Sequence, residues 1–206
     1  LKFTQINEDI ILSILKKAHV VINLKTLWNE KKISYEKGIF NFNRDLLGLI
    51  NKYNSKTLFI FFSGLGLDNM KESKRSLVIS KTEQIIQKNL KKTIIIRPGI
   101  IIGGRDEFLK KLVPIFRLSY FVPIFGSGNT RIQPVFIGDV ILAINKIIYK
   151  NFEESKIFEL GGPNEFTYNN LYFLIAKYLG FKRFFVKIPF FFAKIIVFVI
   201  EKTPIS

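Results

Sequence analysis

The residues of this chain whose types and spacing suit chemistry gather between Thr57 and Gly103. Leu58-Phe59-Ile60-Phe61-Phe62 is the continuous apolar run expected of a strand buried on both faces of a parallel sheet, and it ends on Ser63-Gly64-Leu65-Gly66. Ser63 therefore stands at a strand's carboxyl end, where its hydroxyl either orients a carbonyl or caps a turn. Helical spacing over 76–90 carries Lys81 on its first turns, as a ligand contact or as a solvated helix lysine. Thr93-Ile94-Ile95-Ile96 starts a second buried strand that runs into Arg97-Pro98-Gly99. Pro98 removes a donor and Gly99 permits close approach to a flat ligand, while Arg97 is either a substrate ligand or the partner of a carboxylate at the sheet rim. Ligands of open α/β sheets bind outside the carboxyl ends of the strands, which brings Ser63, Lys81 and the Pro-Gly turn toward one place.

The elements that must position these groups are spread along the whole chain. Residues 1–6 read as the end of a strand, and Asn7-Glu8-Asp9 supplies the cap and acidic first turn of a helix through Lys17. Val20-Val21-Ile22-Asn23-Leu24 is the next buried strand, followed by Lys25, which suits a phosphate, and Thr26. A polar loop over 28–39 leads to a helix over 40–52 whose apolar residues fall three and four apart. Asp106 opens a helix toward Phe116, and Gly126-Ser127-Gly128 is a hairpin turn, because a strand-like stretch over 130–136 follows where a phosphate cradle needs a helix. Asp139 caps a helix through Tyr149, Ile157 to Pro163 forms a strand and turn, and 167–179 is an amphipathic helix. The alternation predicts β-α-β units with right-handed crossovers.

Composition narrows the classes of function. The 206 residues are 48% hydrophobic, enough for a real core plus an appendage. A formal net charge of +16 attracts phosphate, but the Lys residues are distributed along the chain and form no block interleaved with exposed aromatics, so nucleic acid is not an expected partner. There is no cysteine, which excludes disulfides and thiolate metal sites. His19 is the only histidine and reads as a loop or capping residue.

A Ser at a strand end, a helix with Lys81, and a strand ending in Arg-Pro resemble the layout of the extended short-chain dehydrogenase/reductases. In that family the Lys sits four residues after a Tyr that is the general acid/base; here the position is Leu77. The succession R-P-x-x-I-x-G, then the run from Arg131 to Val140 (R-x-Q-P-V-x-x-x-D-V), then E-L-G-G-P, with VINL followed by Trp28 and Glu30, is similar to one branch in particular. That branch is the NAD(P)-binding accessory subunit of respiratory complex I and its bacterial relatives, an atypical short-chain dehydrogenase group.

This resemblance implies a doubly wound, Rossmann-like α/β parallel sheet, N-terminally truncated, with a small C-terminal α/β appendage. The expected division is a truncated dinucleotide-binding domain over 1–150, with core elements mainly in 1–103 and 131–160, and an appendage over 161–206 carrying an apolar basic helix. The group's Gly-rich loop would lie upstream of Leu1. A non-catalytic NAD(P)-binding accessory or assembly subunit is implied, with an active oxidoreductase or epimerase as the alternative. NAD or NADP is the implied cofactor, NADPH being favoured by the resemblance, and its implied contacts are Leu24, Lys25, Thr26, Phe62, Ser63, Lys81, Pro98, Gly99 and Ile101. Partners are expected to be membrane respiratory subunits and an anionic membrane surface, with a peripheral location on the cytoplasmic face of a bacterial inner membrane or the matrix face of a mitochondrial one. The stretch 184–200 reads as a helix whose apolar run from Ile188 to Ile200 is shorter than the roughly 20 residues a span requires, leaving a buried helix or one lying on a membrane surface.

Overall fold

The computed structural model describes residues 8–69, 73–150 and 152–191. Residues 1–6, the expected cap Asn7 and the part of the apolar C-terminal run beyond Phe191 lie outside them. The described chain divides into two compact units, one of residues 1–98 with 139–160 and the other of 99–138 with 161–206. The chain passes between them after Pro98, Gly138 and Leu160, where the sequence reading places the core elements mainly in 1–103 and 131–160 and the appendage over 161–206.

In the first unit, β1 (Val20–Asn23), β2 (Leu58–Phe62), β3 (Thr93–Pro98) and β8 (Lys156–Leu160) form a four-stranded sheet in the order β1-β2-β3-β8, parallel throughout. Successive side chains of a strand point to opposite faces, so β2 and β3 feed two cores. Phe59, Phe61 and Ile95 pack with Leu46, Leu47 and Ile50 of α2 (Phe42–Tyr53), with Val78, Ile79 and Ile86 of α3 (Lys74–Asn89), and with Leu15 of α1 (Glu8–Leu15). Leu58, Ile60, Ile94 and Ile96 pack with Ile147 of α5 (Ile137–Lys150). Apolar burial on both faces, at about 1.5–3 kcal/mol per fully buried side chain, is what holds this doubly wound layer together. β1 differs from expectation: it is an edge strand among the described residues and leaves Ile22 41% exposed.

Two further local readings change in this unit. The polar loop expected over 28–39 ends early, because the helix begins near Tyr35 with a π-helical stretch, Glu36–Asn41, that runs into α2. The Glu30 carboxylate accepts the Tyr35 N–H at 2.7 Å, satisfying a donor that the helix start leaves free, and Gly38 has no Cβ to strike the Leu27 side chain. α5 starts at Ile137, which places Asp139 inside its first turn rather than at its cap.

The second unit holds three two-stranded sheets. β4 (Ile101–Ile102) pairs in parallel with β7 (Val135–Phe136), β6 (Arg131–Ile132) pairs antiparallel with β9 (Phe166–Thr167), and β5 (Phe121–Phe125) pairs in parallel with β10 (Phe184–Ile188). The stretch 130–136 is thus two short strands broken at Gln133-Pro134, where Pro134 has no N–H to donate. Gly126 and Gly128 do form a turn, both in the left-handed region, but no hairpin: β5 takes β10 as its partner. Asn169 holds the turn by donating from Nδ2 to the Ser127 carbonyl and to Asn129 Oδ1. α4 (Glu107–Leu118) is capped by Asp106, which accepts the Leu109 N–H at 2.7 Å, and α6 (Tyr168–Tyr178) by Thr167. Phe116 is the centre of this unit's core, with Leu112, Val122, Ile124, Tyr172 and Ala176 around it. The expected C-terminal helix is corrected over its first part, since 184–188 is the strand β10, whose Phe, Val and Ile residues suit a pleated surface. No helix of the described residues is long and apolar enough to cross a membrane.

Candidate functional site

Leu24, Lys25 and Thr26 follow β1, Phe62 and Ser63 end and follow β2, and Pro98 ends β3, so these positions share the carboxyl edge of three adjacent parallel strands. Ser63 donates its backbone N–H to Ile96 at 2.8 Å, and Leu65 donates to Pro98 at 2.9 Å, which fixes the exit of β2 against β3. The Ser63 Oγ is buried with no hydrogen-bond partner, the only such side-chain atom among the described residues. A buried hydroxyl left unpartnered costs about 1–3 kcal/mol, and a bound group that accepts from it removes that cost. Phe62 is half-buried and packs on the α5 side of the sheet. Gly99 and Ile101 belong to the second unit, where Ile101 is held by pairing with Val135.

Lys81 projects from α3 to Glu36, with Nζ at 2.7 Å from the carboxylate, and lies 4.0 Å from the centre of the Phe40 ring. Leu77, one turn earlier on α3, is 53% exposed, whereas its neighbour Ser76 is buried. The exposed face of α3 at the acid/base position therefore carries a hydrocarbon followed by an ammonium. Lys25 places its ammonium 3.6 Å from the centre of the Phe42 ring, and burial there pushes its pKa below the ordinary lysine value. Its backbone N–H is taken by Asn23 Oδ1, which orients the loop leaving β1.

That loop is clamped from α3 by residues the sequence reading passed over. Arg75 donates from Nε to the Leu27 carbonyl at 2.7 Å and from Nη2 to Thr26 Oγ1 at 3.0 Å, while its guanidinium stacks 4.4 Å over the Trp28 ring. Lys74 pairs with Glu30 at 2.7 Å. Behind the loop, buried Asn23 donates to Asn43 Oδ1 at 2.7 Å, and Asn43 donates in turn to the Ile39 carbonyl. The Asn43-to-Gly48 stretch was the available signal for this pair, an amide on the apolar face of an amphipathic helix.

Arg97 resolves in favour of the sheet rim. It is buried, and donates from Nε and Nη2 to the two oxygens of buried Glu83 at 3.1 and 2.7 Å, and from Nη1 to Asp68 at 2.8 Å, with Glu159 at 3.4 Å. The paired Glu83 carboxylate first, then Asp68, raises its pKa above the ordinary guanidinium value, against the opposing effect of burial. The fork is fully engaged in protein contacts and positions β3, α3 and β8 rather than a substrate. Among the described residues no cluster of His, Cys, Asp and Glu is arranged to hold a metal ion.

A parallel sheet covered on both faces, with Ser63 and the post-β1 loop at its carboxyl edge and a Lys-bearing helix after it, defines an α/β Rossmann-like fold. MoeE5 in complex with UDP-glucose and NAD superposes on it with a TM-score of 0.74 over 87% of this chain and 68% of that one, at 14% sequence identity. The chain is similar in sequence to mitochondrial proteins called NADH dehydrogenase [ubiquinone] 1 alpha subcomplex subunit 9. It is 28% identical to the mitochondrial protein of that name from Arabidopsis thaliana over 210 residues, 99% of this chain and 52% of that protein. With the Mus musculus protein it shares 30% over 176 residues, 84% of this chain and 45% of that one. The chain thus spans about half the length of the curated relatives it matches. No family model matches it.

Proposed function

We propose that the chain acts within a non-catalytic, NAD(P)-binding accessory or assembly subunit of a respiratory NADH:quinone oxidoreductase. The observation that carries this reading is similarity to the Arabidopsis subunit along 99% of the chain. The partners are membrane subunits of that complex, and the place is the matrix face of a mitochondrial inner membrane or the cytoplasmic face of a bacterial one, held peripherally.

The residues fit a dinucleotide at the carboxyl edge of the sheet. Ser63 Oγ is free to donate, Lys25 has no carboxylate partner among the described residues, and Lys81 exchanges its exposed partner Glu36 for ribose hydroxyls at small cost, since ion pairs of this kind contribute about 0–1 kcal/mol. Leu24, Thr26, Phe62 and Pro98 stand at the same edge of the first unit, and Gly99 and Ile101 are the further contacts proposed from the resemblance. A bound nicotinamide supplies hydride chemistry, but a carbonyl or alcohol partner needs a group that exchanges a proton near neutral pH. Leu77 has none. NADPH is the preferred form in this proposal, with NAD as the alternative.

A second reading, an active NAD(P)-dependent oxidoreductase or epimerase, draws on Ser63, whose free buried hydroxyl suits a substrate carbonyl. The test of the first reading is isolation of the tagged protein from its own membranes under mild detergent. Co-migration with NADH-oxidising activity on a native gel is expected. Migration as a free species, with the complex intact and active when the protein is deleted, would overturn it.

A further inference from the structure

The two-stranded sheet of β5 and β10 has one face in the core of its unit and one open. Val122, Ile124 and Phe185 point inward onto Phe116 and Tyr172. Every outward position is apolar, and the register sets them opposite each other: Phe121 with Phe184, Pro123 with Val186, Phe125 with Ile188. Phe121 is 62% exposed and Phe184 59%. Tyr120 extends the patch, its ring 5.3 Å from Phe184 and 5.8 Å from Phe121, and Phe190 closes its end against Gly126, whose lack of a Cβ admits the ring. A contiguous aromatic face of this kind is unusual on a free surface, where edge and face positions of small sheets are normally polar.

The charge around the patch indicates what covers it. No acidic residue occurs in 108–138 or in 166–200, the two segments that build this sheet, although they contain Arg117, Lys177, Lys182, Arg183 and Lys187. Arg183 stands beside the patch, its guanidinium 5.9 Å from the Tyr120 ring and 4.2 Å from that of Phe181, and its neighbour Lys182 is exposed. Rings flanked by cations with no acid are the composition that partitions into the headgroup region of an anionic bilayer, where the rings enter the acyl boundary and the cations meet lipid phosphate. We infer that the open face of β5 and β10 is a lipid-docking surface that seats this unit on an anionic membrane. The inference deepens the accessory-subunit reading by naming the surface that meets the membrane.

The test uses the full 206-residue chain and flotation with vesicles of phosphatidylcholine alone or mixed with phosphatidylglycerol. Since the whole chain is basic, the deciding condition is about 0.5 M salt, where the Debye length falls to roughly 4 Å and purely electrostatic adsorption is lost. Flotation with the mixed vesicles is expected to persist there, and the double variant Phe121→Ser/Phe184→Ser is expected to weaken it by about tenfold or more. Both positions lie outside the core, so the variant's thermal unfolding should match the parent's, and Tyr149→Ser, at an exposed position of α5, should float like the parent. Loss of parental flotation at high salt, or equal flotation of parent and double variant, would overturn the inference. So would a concentration-dependent dimer abolished by the double variant, which would assign the face to a second copy. Co-migration with the respiratory complex is read separately, so failure here leaves that reading standing or falling on its own result.

Discussion

Arg97 and Ser63 are both polar groups at a strand's end, and they have opposite fates. Arg97 spends its five donors on Glu83, Asp68 and Glu159, and removing it leaves the Glu83 carboxylate buried without a counter-charge. Arg97→Ala is therefore expected to lower stability by about 3–5 kcal/mol in urea denaturation, the usual cost of breaking a buried pair from one side. Ser63 spends nothing from its side chain. Ser63→Ala should leave the unfolding free energy unchanged or slightly raised, while weakening dinucleotide binding about fivefold, the worth of one hydrogen bond near 1 kcal/mol, as read by calorimetric titration. The sequence shows both residues at their strand ends, but which carboxylate reaches Arg97 depends on α3 turning Glu83 inward, and spacing alone does not reveal that. Lys81 was legible as a residue; its partner Glu36 is 45 positions away and was not.

At the scale of elements, strands buried on both faces were the easiest to read, because β2 and β3 are continuous apolar runs that no amphipathic helix imitates. Three elements departed from the pattern for identifiable reasons. The helix before α2 starts early because Glu30 caps Tyr35 from outside the helix. The stretch 130–136 breaks at Pro134, and the aromatic stretch 184–188 becomes a strand because β5 offers it a parallel partner more than fifty residues away in sequence. Close approach of β9's preceding turn to Pro134 gives this unit a sharp test. A Cβ at Gly162 would collide with the Pro134 carbonyl, a backbone atom that cannot swing aside, so Gly162→Ala is expected to cost about 1–3 kcal/mol by overpacking. Gly48→Ala, where a Cβ meets open space, should be neutral or slightly stabilising in the same thermal unfolding assay.

For the whole molecule, the α/β class, the parallel order and the relationship to complex I accessory subunits were legible in the sequence, because they rest on the alternation of apolar strands with helices and on the Arg131-to-Val140 run. The pairing of β5 with β10, which ties 99–138 to 161–206, was not, because no local signal in either segment names its partner. We propose that the protein holds a nicotinamide dinucleotide and does not turn it over, because the position four residues before Lys81 is a leucine. The direct measurement is hydride transfer by the protein isolated from its own cells, over a panel of carbonyl compounds, with bound dinucleotide quantified in the same preparation. Dinucleotide retained without turnover is the predicted result; turnover by the parent that Lys81→Ala abolishes would contradict the claim.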